Sequence, residues 1–544
     1  MWKMKVRFAY EFAKYCTCMK YPIGIQTFDR IREDGYVYVD KTRLIYSMTH
    51  EGTVYFLSRP RRFGKSLLLS TLKNYFLGRR ELFEGLEISK LEKEWKTYPV
   101  FHVDFGLGNY ARTDSLDNVL NSYISEWERT YHVAHPAPTH EYSLRFHDVL
   151  KAAHAATGLR AVVLIDEYDK PLLDILDSGI TLERSGERIT LEEYNRELLR
   201  TLYTTFKAAD EYLQFVMLTG VTKFSQVSVF SGFNQPNDIS MDARYDTLCG
   251  ITEEEMHTQM AGYIARLAEA KRKTYEETFD ELKQKYDGYH FTWPSPDVYN
   301  PFSLLRAFTH NRMGSYWFES GTPTFLIEML RRFNVVPSML KPTTCMASSF
   351  DAPTEHMTSI IPLLYQSGYF TIKEYDELTN LYVLDLPNTE IRIGLMECLL
   401  PNYVQIDTYK GPTTVALMFK ALHEDDLDGM LRLLQTYLLT IPQCDHTNYE
   451  GHYQQLLYVI FSLLGRYVDV EVRTATGRVD MVLCTAQKLY LFELKLNRSA
   501  EAAMQQIDLK NYPARFALCG LPVVKVGIQF DAEKHTLSEW QIEA

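Results

Sequence analysis

The stretch TVYFLSRPRRFGKSLLLSTL, residues 53–72, decides the fold of the N-terminal half. It begins as a short apolar run rich in β-branched and aromatic residues, continues through Gly64, Lys65 and Ser66, and ends as an amphipathic helical pattern. In a strand–loop–helix unit of this kind, backbone N–H groups and the helix N-terminus hold phosphate groups. The pattern departs from GxxxxGK[ST] at one position, because Arg59 stands where the motif begins with glycine.

The residues of this loop have expected tasks if it binds a nucleotide. Lys65 is expected to reach the β- and γ-phosphates of ATP, and the Ser66 hydroxyl to ligate Mg²⁺. The arginines before them add positive charge that suits a triphosphate. Taken alone, a GKS triplet also occurs where a helix begins in an ordinary turn. The predicted cofactor-binding residues of the loop are Arg61, Arg62, Phe63, Gly64, Lys65 and Ser66.

Three further apolar runs resemble the first one. They lie at 99–105, 161–166 and 214–222, and each is followed by a polar or glycine break. Helical patterns separate them, so the runs are typical of buried strands in a parallel sheet. This alternation predicts an α/β fold in which residues 21–250 form a doubly wound P-loop ATPase-like domain.

Two of these runs end in residues suited to nucleotide hydrolysis. In AVVLIDEYDKP the strand ends in Asp166 and Glu167, a Walker B pattern in which Asp166 holds Mg²⁺ and Glu167 polarises the attacking water. In LTGVTKFS the strand ends near Thr219 and Thr222, which are expected to sense the γ-phosphate. Together with the GKS loop, these patterns predict nucleotide binding. Because the first glycine of the motif is missing, they do not decide whether the bound nucleotide is hydrolysed.

The middle region, residues 251–440, changes to mainly helical patterns. Thr252 and Glu255 have the spacing of a capping box at a helix N-terminus. A helix-then-hairpin pattern at 360–387 predicts a small winged-helix-like unit. Four aromatic residues are candidates for base stacking, with interdomain packing as the commoner alternative: Tyr286, Tyr289, Phe291 and Trp293.

The last hundred residues, 445–544, follow the order αβββαβ, which predicts a restriction-endonuclease-like domain. The runs VDMVL and LFELKL place Asp480 in one strand and Glu493 and Lys495 in the next, with Leu494 between them expected to face the core. Two carboxylates can hold Mg²⁺ and a neighbouring lysine can orient or deprotonate water, so the spacing D-x12-E-x-K predicts phosphodiester cleavage. The alternative is a solvated ion pair on an exposed strand face.

Length and composition limit the class of protein. The chain has 544 residues, enough for about three domains, and its 46% hydrophobic content excludes a disordered chain. Eight cysteines without a CxxC pair argue against a disulfide framework or a zinc site, and no apolar run approaches the ~18 residues of a membrane span. These features predict a cytoplasmic protein without a membrane partner. Residues 1–20 are interpreted as an N-terminal extension.

Charge argues against an extended nucleic-acid surface but leaves room for a local one. The net charge is −12, whereas phosphate binding favours a basic footprint. Residues 445–544 hold 10 Lys+Arg and 12 Asp+Glu, so the acidic excess lies mainly in the rest of the chain. The balance therefore predicts a weak or gated encounter with nucleic acid.

Several of these motifs together resemble bacterial AAA-ATPase-like proteins of the Bacteroidales type, which carry a C-terminal PD-(D/E)xK nuclease-superfamily domain. The similarity runs from about Tyr21 to the C-terminus. The matching stretches are YPIGIQTFDRIREDGYVYVDKT (21–42), RPRRFGKS (59–66), LIDEYDKP (164–171), LTGVTKFS, DISMDARYDTLCGITEEE (238–255), KYDGYHF, VYNPFSLL and GRVDMVL…LFELKLN. The resemblance implies that RPRRFGKS is the family's own form of the P-loop. The site residues that it carries over are Lys65, Ser66, Asp166 and Glu167 for the nucleotide, and Asp480, Glu493 and Lys495 for the nuclease.

The leading hypothesis is a protein that binds and hydrolyses ATP and is coupled to a Mg²⁺-dependent nuclease acting on DNA or RNA, in defence or mobile-element biology. The alternative is a nucleotide switch that binds nucleic acid or a protein without cleavage. A scaffold with two relic sites ranks last, because both sites keep their charged residues. A homo-oligomer such as a ring is compatible with the resemblance.

Overall fold

The computed structural model describes residues 20–133, 140–176, 178–184, 186–223, 236–320, 324–350, 359–403, 410–439, 449–464, 467–473, 478–531, 533–534 and 536–544. The predicted N-terminal extension therefore lies outside the described residues except for Lys20. The described residues form two compact units. The first contains the chain up to Gly314 together with Pro342–Asn388, and the second contains Ser315–Lys341 and Thr389–Ala544.

The helices and the strands are numbered separately, each in chain order. The α-helices are α1 Phe28–Glu33, α2 Thr42–Glu51, α3 Lys65–Phe76, α4 Ile88–Leu91, α5 Ser115–Thr130, α6 Tyr142–Thr157, α7 Lys170–Leu173, α8 Leu191–Ala208, α9 Glu253–Gln259, α10 Ala261–Lys271, α11 Tyr275–Tyr286, α12 Pro301–His310, α13 Thr324–Arg332, α14 Ala347–Phe350, α15 Ile361–Gln366, α16 Thr389–Tyr403, α17 Lys410–His423, α18 Leu427–Leu439, α19 Tyr449–Leu464 and α20 Ala500–Leu509. The strands are β1 Val54–Ser58, β2 Val100–Asp104, β3 Ala161–Asp166, β4 Thr181–Arg184, β5 Glu187–Thr190, β6 Leu213–Gly220, β7 Asn237–Asp238, β8 Ile251–Thr252, β9 Val298–Tyr299, β10 Thr343–Cys345, β11 Thr371–Asp376, β12 Leu381–Asp385, β13 Tyr467–Arg473, β14 Arg478–Cys484, β15 Leu489–Leu496, β16 Val523–Asp531 and β17 Thr536–Glu543.

A five-stranded sheet forms the centre of the first unit, in the order β2-β3-β6-β1-β7. Its strand pairs are parallel, as expected where helices connect successive strands. On β3, Val163 and Ile165 pack into a cluster with α5, α6 and α8, while Val162 and Leu164 are buried on the opposite face. The predicted α/β fold with a parallel sheet is confirmed, and the four predicted strands lie where expected.

Parallel strands bring their carboxyl ends to one edge of the sheet, which is where open α/β sheets bind ligands. The last residues of β1, β2, β3 and β6 at this edge are Ser58, Asp104, Asp166 and Gly220. The sheet therefore assembles residues that are far apart in sequence.

The remaining parts of the first unit agree with the predicted mainly helical pattern and add short strands. The capping box at the start of α9 is formed by Thr252 and Glu255, as predicted. The predicted helix-then-hairpin is present as α15, β11 and β12. A third strand, β10, pairs with β12 and was not predicted, because only its tertiary pairing distinguishes so short a segment.

A second five-stranded sheet lies in the second unit, in the order β13-β14-β15-β16-β17. The first three strands are antiparallel neighbours, β16 joins β15 in parallel after α20, and β17 is antiparallel to β16. The predicted order αβββαβ is confirmed as α19 to β16. The last strand, β17, was not predicted, because its largely exposed and polar residues do not have the pattern of a buried strand.

Among the described residues, no helix combines the length and the apolar character needed to cross a membrane.

Candidate nucleotide and metal sites

The loop between β1 and α3 contains two residues in the left-handed backbone region, Arg62 with φ +67° and Gly64 with φ +95°. Gly64 immediately precedes α3, and glycine adopts this conformation without the steric cost of a side chain. The ammonium group of Lys65 points back into the loop and donates hydrogen bonds to the carbonyl oxygens of Arg59 (2.9 Å) and Pro60 (3.0 Å). Burial lowers the pKa of Lys65. The loop thus has the local geometry of a turn into a helix N-terminus.

The other predicted loop residues differ in exposure. Arg61 is exposed and Ser66 is half-buried in the first turn of α3. The Arg62 guanidinium carbon lies 3.7 Å from the centroid of the Phe302 ring. The Phe63 side chain is 1% exposed and lies in the protein interior, where it packs against Tyr289 and Phe291.

Asp166 and Thr219 meet at the carboxyl edge of the sheet. Asp166 is 3% exposed and accepts a hydrogen bond from the Thr219 hydroxyl on β6 at 2.7 Å. The backbone N–H of Glu167 donates to the same carboxylate oxygen at 3.0 Å. The charge of Asp166 also opposes the lowering of the Lys65 pKa. Carboxylate and hydroxyl oxygens are both donors that suit Mg²⁺, which is the chemistry expected of Asp166 and Ser66.

A carboxylate that the sequence analysis did not single out, Asp104, lies beside Glu167. Asp104 is paired in register with Asp166 on the neighbouring strand. A Cβ added to Gly106 would lie 2.8 Å from Asp104 Oδ1 and 3.1 Å from Glu167 Oε2, so both carboxylates approach the same glycine. Burial raises the pKa of Glu167, and the charges of Asp166 and Asp104 raise it further. The signal was present in PVFHVDF, in which the strand β2 ends in aspartate as β3 does.

Asp169 is a second residue that the sequence analysis missed. It is 1% exposed and accepts hydrogen bonds from the backbone N–H groups of Val221 (2.9 Å) and Thr222 (2.7 Å). The Thr222 hydroxyl also donates to Asp169, at 2.9 Å. Asp169 therefore holds the chain where β6 ends, and it engages the Thr222 hydroxyl that the sequence analysis had expected to sense the γ-phosphate.

A mainly apolar pocket opens beside the loop. Gly64, Leu67 and Leu68 line one side of it. Its other walls come from segments distant in sequence, namely Val37–Val39, Ile45, Leu248–Ile251 and Met260. The pocket has the composition expected for a flat heteroaromatic ring next to a phosphate-binding loop.

In the second unit, Met481 and Phe492 form the pair at one end of the antiparallel β14–β15 ladder. Asp480 directly precedes Met481 along the chain, and Glu493 directly follows Phe492. The N–H of Leu494 donates to Asp480 Oδ2 at 2.8 Å, and the Lys495 ammonium donates to Glu493 Oε1 at 2.8 Å. The structure therefore brings the three predicted nuclease residues together at one end of these strands.

Glu493 is the most deeply buried of the three. Its side chain is 0% exposed, and its Oε2 has no hydrogen-bond partner among the described residues. Burial raises the pKa of Glu493 to about 7, with a further contribution from the charge of Asp480 and an opposing one from Lys495. A buried carboxylate oxygen without a partner, next to a second carboxylate, fits a Mg²⁺ ligand set.

The expected orientation of Leu494 was wrong. Leu494 is only partly buried, whereas Glu493 shares its strand face with Leu489 and Leu491, which pack against residues of α20 such as Met504. The pattern had suggested a core-facing leucine because apolar residues usually occupy buried positions, but in this strand the carboxylate does.

Within the described parts of the chain, no group of three or more His, Cys, Asp and Glu side chains could hold a metal ion. A Mg²⁺ ion at either candidate site would therefore complete its coordination with water or phosphate oxygens, as Mg²⁺ commonly does.

Comparisons with known proteins agree with this division of sites. Residues 22–230 match the family model described as predicted AAA-ATPase, and residues 448–540 match that of the PD-(D/E)XK nuclease superfamily. The uncharacterized protein in the vnfD 5′ region of Azotobacter chroococcum mcd 1 is 36% identical over 541 residues, which cover 96% of this chain and 99% of that one. The chain therefore belongs to the predicted AAA-ATPase family and carries a PD-(D/E)XK nuclease-superfamily domain near its C-terminus.

Proposed function

We propose that the chain is a nuclease under the control of ATP, in which the first unit binds and hydrolyses ATP and the second cleaves DNA or RNA. The proposal depends on two separate groups of residues that the fold brings together. One group lies at the edge of the sheet that contains the P-loop strand, and the other surrounds a buried carboxylate oxygen without a partner among the described residues. Stability does not explain the Oε2 atom of Glu493, because a buried charged group is costly where it has no partner.

In the ATP site, the chain's own residues bind and orient the triphosphate. Lys65 exchanges the carbonyl oxygens of Arg59 and Pro60 for the β- and γ-phosphate oxygens, and the loop N–H groups at the start of α3 contribute further donors. Ser66 and Asp166 would hold Mg²⁺, which would supply positive charge to the phosphates.

Hydrolysis then depends on Glu167. Its carboxylate accepts a hydrogen bond from the attacking water, and the raised pKa makes it a stronger base. The Thr219 hydroxyl, which donates to Asp166, holds that carboxylate in place next to the γ-phosphate. The base of the nucleotide occupies the apolar pocket beside Gly64.

In the nuclease site, Asp480 and Glu493 would hold Mg²⁺, which would polarise the scissile phosphate, and Lys495 orients the attacking water. The ion pair between Lys495 and Glu493 keeps the ammonium group at the site before substrate arrives. Residues 445–544 carry a net charge of −2, so phosphate contacts outside the site are few and ATP binding controls access.

The test is metal-dependent cleavage of labelled DNA and RNA, single- and double-stranded, measured with ATP, with a non-hydrolysable ATP analogue and without nucleotide. Lys65→Ala is expected to abolish ATP turnover. Asp480→Ala and Lys495→Ala are expected to abolish cleavage and leave ATP turnover intact. Glu539→Ala, a change of an exposed carboxylate on β17, is the matched control.

If the Asp480 variant degrades every substrate as fast as the parent protein, the nuclease assignment is wrong. ATP turnover without cleavage of any substrate would instead support the nucleotide switch.

A further inference from the structure

Arg59, which replaces the first glycine of the motif, is almost completely buried at 1% exposure. One terminal nitrogen donates to the carbonyl oxygens of Ser58 (2.9 Å) and Ser240 (2.7 Å), and the other donates to that of Tyr245 (3.3 Å). The guanidinium carbon lies 4.0 Å from the centroid of the Phe291 ring. A single side chain thus joins the start of the loop to two segments about 180 and 230 residues further along the chain.

This burial is not the arrangement of a residue selected for stability alone. The Nε atom of Arg59 has no hydrogen-bond partner, and no carboxylate forms an ion pair with the guanidinium, among the described residues. Burial lowers the pKa of Arg59, and the charges of Asp238 and Asp246 are among those that oppose this lowering. The direct contacts of the guanidinium are three carbonyl oxygens and the face of an aromatic ring. An apolar side chain would avoid this cost.

The same distant segment contacts the rest of the loop. The Phe63 ring packs edge-on against Tyr289 and Phe291, with centroid distances of 4.8 and 5.3 Å. Arg62 stacks on Phe302, which lies in the first turn of α12. We call residues 286–302 the clamp segment. It touches the loop at its beginning through Arg59 and near its end through Arg62 and Phe63.

We propose that Arg59 is a positioning residue for nucleotide binding, which fixes the start of the P-loop against the clamp segment through Phe291. The inference rests on the proposed ATP site. An ordinary P-loop begins with glycine and is shaped by its own backbone, whereas this loop is shaped by side-chain contacts to a distant segment. The carbonyl oxygen of Arg59 is one of the two acceptors that hold Lys65 in the loop before nucleotide binds, so a displaced Arg59 leaves the loop less well arranged to receive the phosphates.

The test separates binding from turnover. Affinity for a fluorescent ATP analogue with Mg²⁺, KM for ATP and kcat are measured for Arg59→Lys, Phe291→Leu and the double variant. Lysine keeps the charge but cannot reach all three carbonyl oxygens, and leucine keeps apolar volume but removes the ring face. Arg145→Lys is the matched control, because Arg145 is also buried but pairs with Glu128 on α5.

We expect KM and the analogue's Kd to rise about tenfold or more for Arg59→Lys and in the same direction for Phe291→Leu, with kcat within about twofold of the parent. The double variant should lose less affinity than the two single losses combined, because both changes remove the contact between Arg59 and Phe291. Arg145→Lys should lower Tm and leave KM unchanged.

Wild-type KM and Kd in both the Arg59 and Phe291 variants would overturn the inference and leave Arg59 with a structural role. If Arg59→Lys does not fold, Phe291→Leu alone decides, since it leaves Arg59 in place. Failure of the parent protein to bind the analogue would instead refute the proposed ATP site.

Discussion

Replacing Asp287 by asparagine should make the first unit more stable, increasingly so as the pH rises. Asp287 is 2% exposed, and neither carboxylate oxygen has a hydrogen-bond partner among the described residues. Burial raises its pKa from the ordinary 3.8 to about 7, and the charge of Asp297 adds to this while Lys283 opposes it. The folded state therefore disfavours the charged form of this side chain.

The size of the effect follows from the pKa difference. Between pH 3.8 and about 7 the folded protein keeps the Asp287 proton that the unfolded chain has lost, so the free energy of unfolding falls as the pH rises and levels off above 7. A shift of about 3 pKa units at 1.36 kcal/mol each gives at most about 4 kcal/mol. Asparagine carries no charge, so its advantage should be smallest near pH 4 and largest near pH 8.

Urea unfolding is carried out at pH 5, 6, 7 and 8 and is monitored by hydrogen exchange in peptides that span Asp287. This measures the difference in free energy of unfolding between the variant and the parent protein for the first unit. Burying the uncharged asparagine amide changes the free energy of unfolding by the same amount at every pH. The test is therefore how the difference in free energy of unfolding between the variant and the parent protein changes with pH. Asp280→Asn, on the exposed face of α11, is the control and should show no change with pH. Parallel curves for the parent and the Asp287 variant would refute the reasoning.

Three other substitutions have expected outcomes. Glu493→Gln should abolish cleavage and, because it removes a buried charge, raise the free energy of unfolding by about 1–3 kcal/mol at pH 8. Chemical denaturation without metal measures the second effect, and a loss of stability would contradict the prediction. Gly106→Ala should lower kcat for ATP hydrolysis about tenfold or more in steady-state assays, because the new Cβ displaces the carboxylates of Asp104 and Glu167. An unchanged kcat would show that hydrolysis does not depend on the positions of these carboxylates. Thr274→Ala should cost about 1 kcal/mol in denaturant unfolding by removing the capping box of α11, and a neutral effect would mean that tertiary packing alone sets this helix end.

Local patterns predicted most of the architecture. The run 161–166 corresponds residue for residue to β3, and the capping box at Thr252 begins α9 as expected. These features depend on residues within one or two turns of each other, which is the range over which side-chain periodicity and capping act. The edge strand β17 was not predicted, because a largely exposed, polar strand does not show the apolar pattern of a buried strand.

The candidate sites were predictable only in part. Lys65, Asp166 and Thr219 carried recognisable motifs, and the folded chain brings Asp166 and Thr219 into contact. Asp104 and Asp169 carried only the weaker signal of aspartate at or near a strand end, which many structural residues share.

Local sequence was enough to locate most of the strands of the two large sheets and to indicate that Asp166 and Thr219 lie at strand ends. Packing in three dimensions was needed to bring Asp104 to Glu167, to bury Glu493 rather than Leu494, and to lay Arg59 on Phe291. The physical reason is that local propensity is set by neighbouring residues, whereas burial, pKa and side-chain contact depend on packing between segments that are far apart along the chain.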